Sequence, residues 1–184
     1  PRALAVAQDR VEEKGFLNGI GVATAPCADV PDRAGLDDAL AGIGAPAILK
    51  TRRFGYDGKG QARIAAPGEA DAAWEAIGAA PAILEGMVPF TAEISIIAAR
   101  GRDGAVIAYD PGENRHEDGI LRETRVPARI PRRLAQDAAL TAGRILTALD
   151  YVGVMGVEMF VVPGEILVNE IAPRVHNSGH WTIE

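Results

Sequence analysis

The spacing of apolar residues changes period several times along the chain, and each change marks an element. Across residues 8–19, Val11, Phe16, Leu17 and Ile20 recur at a rough helical spacing. Asp9 can cap that helix and Glu12 follows three residues on. Thr24-Ala25-Pro26 then breaks the pattern. Residues 33–43 are an alanine-rich helical stretch whose Leu36, Leu40 and Ile43 share a face. Short apolar runs at 47–51, 61–64 and 82–85 predict strands. Between the last two, Pro67 opens a helix reaching Ile77, with Trp74 and Ile77 pointing inward and Pro81 ending it. Together these make a small α+β unit of about 65 residues, near the low end for a stable domain.

Past a hinge at residues 86–89 the texture turns strand-rich. Residues 93–100 and 104–109 flank an Asp103-Gly104 turn, a strong hairpin signal. The polar, glycine-bearing stretch 110–119 reads as a loop, and 120–126 as another strand. Pro131 sits at a helix start, and Leu134, Ala138, Ala142, Ile145 and Leu149 give that helix its buried face. Two strands, 152–162 and 166–172, close the chain. The fold class is α+β: an opening helix region over 1–21, a small α+β unit over 22–88, and a larger, mainly antiparallel sheet with flanking helices over 89–184.

Composition narrows the function classes. With 48% apolar and 24% charged residues the chain has the mix of a soluble globular protein. A net charge of -6 argues against a nucleic-acid surface, which would show a basic stripe. No apolar run approaches the roughly 20 residues of a membrane helix, so neither membrane nor nucleic acid is an expected partner. The single Cys27 excludes an internal disulfide framework and fits a reducing compartment. A start at Pro1 and an end at Glu184, just after the richest motif, suggest a piece of a longer protein.

Two constellations could carry chemistry. In the last hairpin, a three-residue turn at 163–165 would set Glu158 directly opposite Glu170. Opposed like charges call for a cation, and a hard divalent ion such as Mg²⁺ bridging the carboxylates to nucleotide phosphates fits. A two-residue turn would instead set Glu158 against Asn169 and leave Glu170 a lone surface acid; the sequence leaves both open. Burial suggested by Val157, Met159, Phe160, Val161 and Leu167 favours the metal, because buried acids are seldom unpaired. The second constellation is Lys50 followed by a loop bearing Gly55, Gly58, Lys59 and Gly60. Glycines free backbone N–H groups for phosphate oxygens, although a solvated hairpin loop has the same composition. It matches neither the P-loop nor the dinucleotide fingerprint. The clustering of Lys50, Arg52, Arg53 and Lys59 in an acidic chain favours phosphate. His176 and His180 stand four apart, but Asn-Ser-Gly between them is a poor helix and no cysteine or acid completes a zinc set. His116 reads as a surface-loop residue, and Cys27 as packing.

Gln8-Asp9-Arg10, Lys50-Thr51-Arg52, the glycine loop through Gln61, NRHEDGIL over 114–121 and VNEIAPRVHNSGHWT over 168–182 together identify a family. Across nearly its whole length the chain resembles the N5-carboxyaminoimidazole ribonucleotide synthetases, ligases of the ATP-grasp superfamily. The resemblance implies an ATP-grasp fold, with 22–88 as lid and 89–184 as catalytic subdomain. It implies ATP-dependent carboxylation of aminoimidazole ribonucleotide with bicarbonate through carboxyphosphate, in purine biosynthesis. The expected cofactors are ATP and Mg²⁺, with Mn²⁺ as an alternative, in a cytoplasmic protein that is a homodimer at full length. Carried over by position, Arg10 and Lys50 touch ATP phosphates, while Gly55, Tyr56, Asp57, Gly58, Lys59, Gly60 and Gln61 form the loop closing over them. Glu85, Gly86, Met87 and Val88 line the adenine edge, Glu93 holds the ribose, and His116 falls on the nucleotide site, reversing its loop reading. Glu158 and Glu170 match metal ligands with Asn169 beside them. Arg174, His176, Asn177 and Ser178 match the substrate side, with Arg174, Tyr56 and Lys50 nearest the chemistry. Family members carry further segments on both sides, so this stretch alone is expected to bind nucleotide weakly and turn over poorly. The rival readings are another ATP-grasp carboxylase or transformylase, which the 174–181 run argues against, and a non-catalytic nucleotide-binding module.

Overall fold

The computed structural model describes residues 2–55, 59–117 and 119–183, and their strands gather into two sheets. The chain opens with helix α1 (Arg2–Ala7), which the apolar spacing did not predict, followed by α2 (Arg10–Gly19). Asp9 caps α2, its side chain accepting from the amides of Val11 and Glu12. The face that α2 buries is not the apolar stripe: Leu17 is buried beside Glu13 and Lys14, while Val11, Phe16 and Ile20 are half-buried.

The smaller sheet has the order β1 (Cys27–Val30), β4 (Ala82–Gly86), β2 (Ala47–Thr51), β3 (Gln61–Ile64). β1 was not predicted; Pro26 ends the preceding irregular run, and four residues then pair along β4. Helices α3 (Arg33–Ile43) and α4 (Ala70–Ala76) pack on this sheet, and Leu36, Leu40, Leu49, Ile64, Ile77 and Leu84 form its core. The predicted helix from Pro67 starts as a 3-10 turn, Pro67–Glu69, before α4 begins.

The larger sheet runs β10 (Glu165–Ala172), β9 (Gly153–Val162), β5 (Ala92–Arg100), β7 (Gly112–Glu117), β8 (Ile120–Arg125), with β6 (Val106–Ala108) also on β5. Helix α5 (Arg132–Ala148) buries Leu134, Ala138, Ala142, Ile145 and Leu146 in its core, with Leu149 just beyond the helix end. The stretch expected as a loop at 110–119 contains β7. Its Gly-Glu-Asn-Arg-His-Glu sequence is polar because it contributes Asn114 and His116 to a cleft, yet it pairs on both edges. No helix among the described residues is long and apolar enough to cross a membrane.

The closing hairpin corrects the turn expectation. Glu165 pairs with Val162, so the turn has two residues, Pro163 and Gly164, with Gly164 at φ 86° in the left-handed region. Glu170 nevertheless faces Glu158, because the register shifts by a bulge between Val168 and Glu170. Asn169 is the extra residue. A bulge supplies the offset that the turn was expected to supply.

Candidate active site

A cleft of about 700 Å³ opens between the two sheets, and the opposed acids lie in it. One donor atom from each of Glu158, Glu170 and His176 falls within 4.8 Å of the others. His176 Nε2 is 3.6 Å from Glu158 Oε1 and 3.8 Å from Glu170 Oε1. The His176 ring is buried and turned by a 2.8 Å hydrogen bond between Nδ1 and the hydroxyl of fully buried Ser178. Gly156 leaves room for it, since a Cβ there would lie 3.1 Å from His176 Cβ. Burial, then the neighbouring Glu170 charge, push the Glu158 carboxyl up from its ordinary value. Burial would do the same to Glu170, but the nearby His176 imidazole and the Arg10 charge outweigh it and hold that group low. Two acids forced apart in this way suit a hard cation with oxygen ligands. The hairpin thus completes with acids a set that sequence could not see, around His176 and not His180, which is exposed in the 3-10 turn Asn177–Thr182.

Across the cleft stands a chain of charges. Lys50 Nζ donates to Glu85 Oε2 at 2.6 Å, and Lys14 Nζ lies 3.4 Å from Glu85 Oε1. Burial alone would raise Glu85, but Lys50 and Lys14 bring it down to about 2. The Glu85 side chain is therefore engaged by lysines. Arg10 donates through Nη1 to Thr51 O at 3.0 Å, and its guanidinium lies 3.1 Å from where a Cβ of Gly55 would sit. Arg52 and Arg53 are claimed by Asp9, which accepts from Arg52 Nη2 at 2.9 Å and Arg53 Nε at 3.0 Å. Their first role is to tie β2 to the start of α2, which weakens the expectation that they serve phosphate.

Lys59 and Gln61 line the cleft with Gly55, whereas Tyr56, Asp57 and Gly58 lie outside the described residues. Gly60 is at φ 70°, and a Cβ there would lie 2.7 Å from Thr51 Oγ1, so only glycine fits. Gly86, Met87 and Val88 run between the sheets without lining the cleft. Gly86 N donates to Pro26 O and Met87 N to Pro46 O, and the Met87 side chain is exposed. On the floor, Glu93 Oε2 meets His116 Nδ1 at 2.6 Å, and this bond raises the His116 pKa against the effect of burial. Beside them Phe90 stacks on Phe160 with centroids 4.9 Å apart. Arg174 is exposed at the rim, donating to Val175 O at 2.9 Å, and Asn169 and Asn177 also line the cleft. Ser178 does not line it and acts on His176 from behind.

Residues 15–184 match the ATP-grasp domain. The chain belongs to the ATP-grasp family. It is 54% identical to the N5-carboxyaminoimidazole ribonucleotide synthase of Brucella melitensis, over 99% of this chain and 51% of that protein. The crystal structure of the N5-carboxyaminoimidazole ribonucleotide synthetase from Thermus thermophilus matches with a TM-score of 0.91 at 50% identity, over 99% of this chain and 49% of that one. An Aspergillus clavatus N5-carboxyaminoimidazole synthase, solved with ADP and 5-aminoimidazole ribonucleotide, matches with a TM-score of 0.90 at 30% identity, over 98% of this chain and 48% of that one. The chain spans about half the length of the curated relatives it matches. The family resemblance and the ATP-grasp fold read from the motifs both stand.

Among the cleft residues that sequence reasoning missed are Glu13, Phe90, Asn114 and Phe160. It also missed Lys14, which is buried against Asn169 and Glu85. Arg10, Glu13, Lys14 and Leu17 stand at helical spacing on one face, so charged residues beside an apolar anchor were the available signal for α2.

Proposed function

We propose that the cleft binds ATP with a divalent cation and spends its γ-phosphate on activating bicarbonate for transfer to the exocyclic amine of aminoimidazole ribonucleotide. The observation that carries this reading is the opposed Glu158–Glu170 pair, with the Lys50 ammonium and Arg174 on the same cleft. The two carboxylates are hard, anionic oxygen donors, and they fit Mg²⁺ or Mn²⁺. Held by Glu158 and Glu170, such an ion would neutralise charge on the nucleotide phosphates. The names and ligands of the relatives support the choice of acceptor.

In this reading 22–88 is the lid and 89–184 the catalytic subdomain. Arg10 and Lys50 hold phosphate oxygens, Glu93 and His116 hold the ribose, and the loop 55–61 covers the phosphates. A bicarbonate oxygen attacks the γ-phosphorus, the bond to the β-bridging oxygen breaks, and ADP leaves. The amine nitrogen then attacks the carboxyl carbon of carboxyphosphate; the carbon–oxygen bond breaks, phosphate leaves and the nitrogen sheds a proton. Arg174 and Asn177 orient the carboxyl group, with His176 fixed by Ser178. Such chemistry asks of the protein chiefly alignment, charge neutralisation and exclusion of water. Protein containing these residues should release phosphate from ATP and bicarbonate when aminoimidazole ribonucleotide is added. Release driven instead by biotin or glycinamide ribonucleotide would refute the assignment of the acceptor.

A further inference from the structure

Helix α2 turns two adjacent charged residues inward, and both reach the same strand. Lys14 is 2% exposed and its ammonium donates to the carbonyl of Asn169, the bulge residue of β10. Glu13 is 3% exposed, and its Oε1 accepts from Ile171 N at 2.7 Å. On the other side of the bulge, Val168 N donates to Ala23 O at 2.8 Å. Among the described residues β10 is the edge strand of its sheet, and an isolated parallel bridge from Thr24 to Val168 lies along its outer side. Groups from α2 and the following segment hold that side, bracketing Glu170 on both sides. Edge strands and bulges are where register is least constrained, and here the register sets which residue faces Glu158.

Lys14 has a second attachment. Its ammonium lies 3.4 Å from Glu85 Oε1, while Glu85 Oε2 accepts from Lys50 at 2.6 Å. One cation thus joins the bulge of the larger sheet to the carboxylate that Lys50 leans on in the smaller sheet. Stability does not account for a lysine here, because buried ion pairs are often replaced by packed apolar groups without loss. We infer that Lys14 is a positioning residue that holds the Asn169 bulge, and so the Glu158–Glu170 pair, in register while sharing Glu85 with Lys50. The inference rests on the metal reading given under the proposed function. It adds a residue that touches neither the ion nor the nucleotide.

Lys14→Met alone would strand the Glu85 charge and confuse folding with positioning, so the test combines it with Glu85→Gln. Thermal midpoint and far-UV circular dichroism should then stay close to those of Glu85→Gln alone, which already lacks the ionised carboxylate. Mn²⁺ affinity, read by electron paramagnetic resonance with a non-hydrolysable ATP analogue, should fall about 10- to 100-fold below that of Glu85→Gln alone, the usual effect of losing a group that orients a metal ligand. An affinity in the folded double variant equal to that of Glu85→Gln alone overturns the inference. If that variant does not fold, Lys14→Arg carries the test. Its charge still meets Glu85, but the longer, planar guanidinium does not fit the buried space of the Lys14 ammonium, 2% exposed, without displacing Asn169 O, so Mn²⁺ binding should weaken; equal affinity again overturns the inference. Absence of Mn²⁺ binding in the wild type is a different outcome, which removes the metal reading itself and this inference with it.

Discussion

Replacing Glu158 by glutamine separates what the acid pair costs from what it does. Donor oxygens of Glu158 and Glu170 lie within 4.8 Å, and two full charges at that distance repel by about 3.5 kcal/mol at an effective dielectric of 20. Burial and this repulsion both push the Glu158 carboxyl up, so its ionised form costs the folded state free energy. An uncharged amide removes that repulsion, and screening at the partly exposed Glu170 discounts the gain to roughly 1–2 kcal/mol. For a chain of 184 residues this is a rise in thermal midpoint of about 2–8 °C, measured by scanning calorimetry in EDTA at pH 8. With Mg²⁺ and an ATP analogue the order reverses. At about 100 times the dissociation constant the ligands stabilise the wild type by about 2.7 kcal/mol, and the variant should gain little. A variant that melts below the wild type in EDTA, or that gains as much from Mg²⁺, would refute the reasoning.

Three further outcomes follow from the buried charges. Burial pushes the Glu13 carboxyl up to about 8 from 4.5, so the folded state holds a proton that the unfolded chain releases, and stability should fall as pH rises from 4.5 toward 8. Glu13→Gln keeps an acceptor for Ile171 N and should flatten that decline in urea titrations, leaving the variant about 2–4 kcal/mol more stable at pH 8. Glu85 has the opposite sign: its carboxyl lies at about 2, so its stabilisation is present above 4.5 and is lost as pH falls toward 2. Lys50→Met, which removes its nearer ammonium, should move acid unfolding to higher pH, as followed by circular dichroism. Glu93→Gln should lower the His116 pKa in an NMR titration, because the Glu93 hydrogen bond is the largest cause of its upward shift.

How much was legible in the sequence depended on whether an element's pattern reflected burial or chemistry. α3 and α5 bury apolar faces, and their spacing alone located them. β7 was hidden because its polar residues belong to the cleft and its order comes from pairing with β5 and β8, which no local pattern records. The buried face of α2 was misread for the same reason, since Glu13 and Lys14 find their partners on β10 and β4, more than sixty positions away. The Glu158–Glu170 opposition was the right geometry reached through the wrong turn. Turn length and bulge both shift register by one residue, and only their sum was open to inference. The motifs that carried the family resemblance lie largely in turns and polar strand ends, which the spacing of apolar residues does not describe.

The most direct test of the account is a crystal structure with Mg²⁺ and a non-hydrolysable ATP analogue. It should show one ion with oxygens of both Glu158 and Glu170 at about 2.0–2.1 Å, and the Lys50 ammonium on a phosphate. An ion held by phosphates and water alone, with both carboxylates outside its coordination shell, would contradict the central claim.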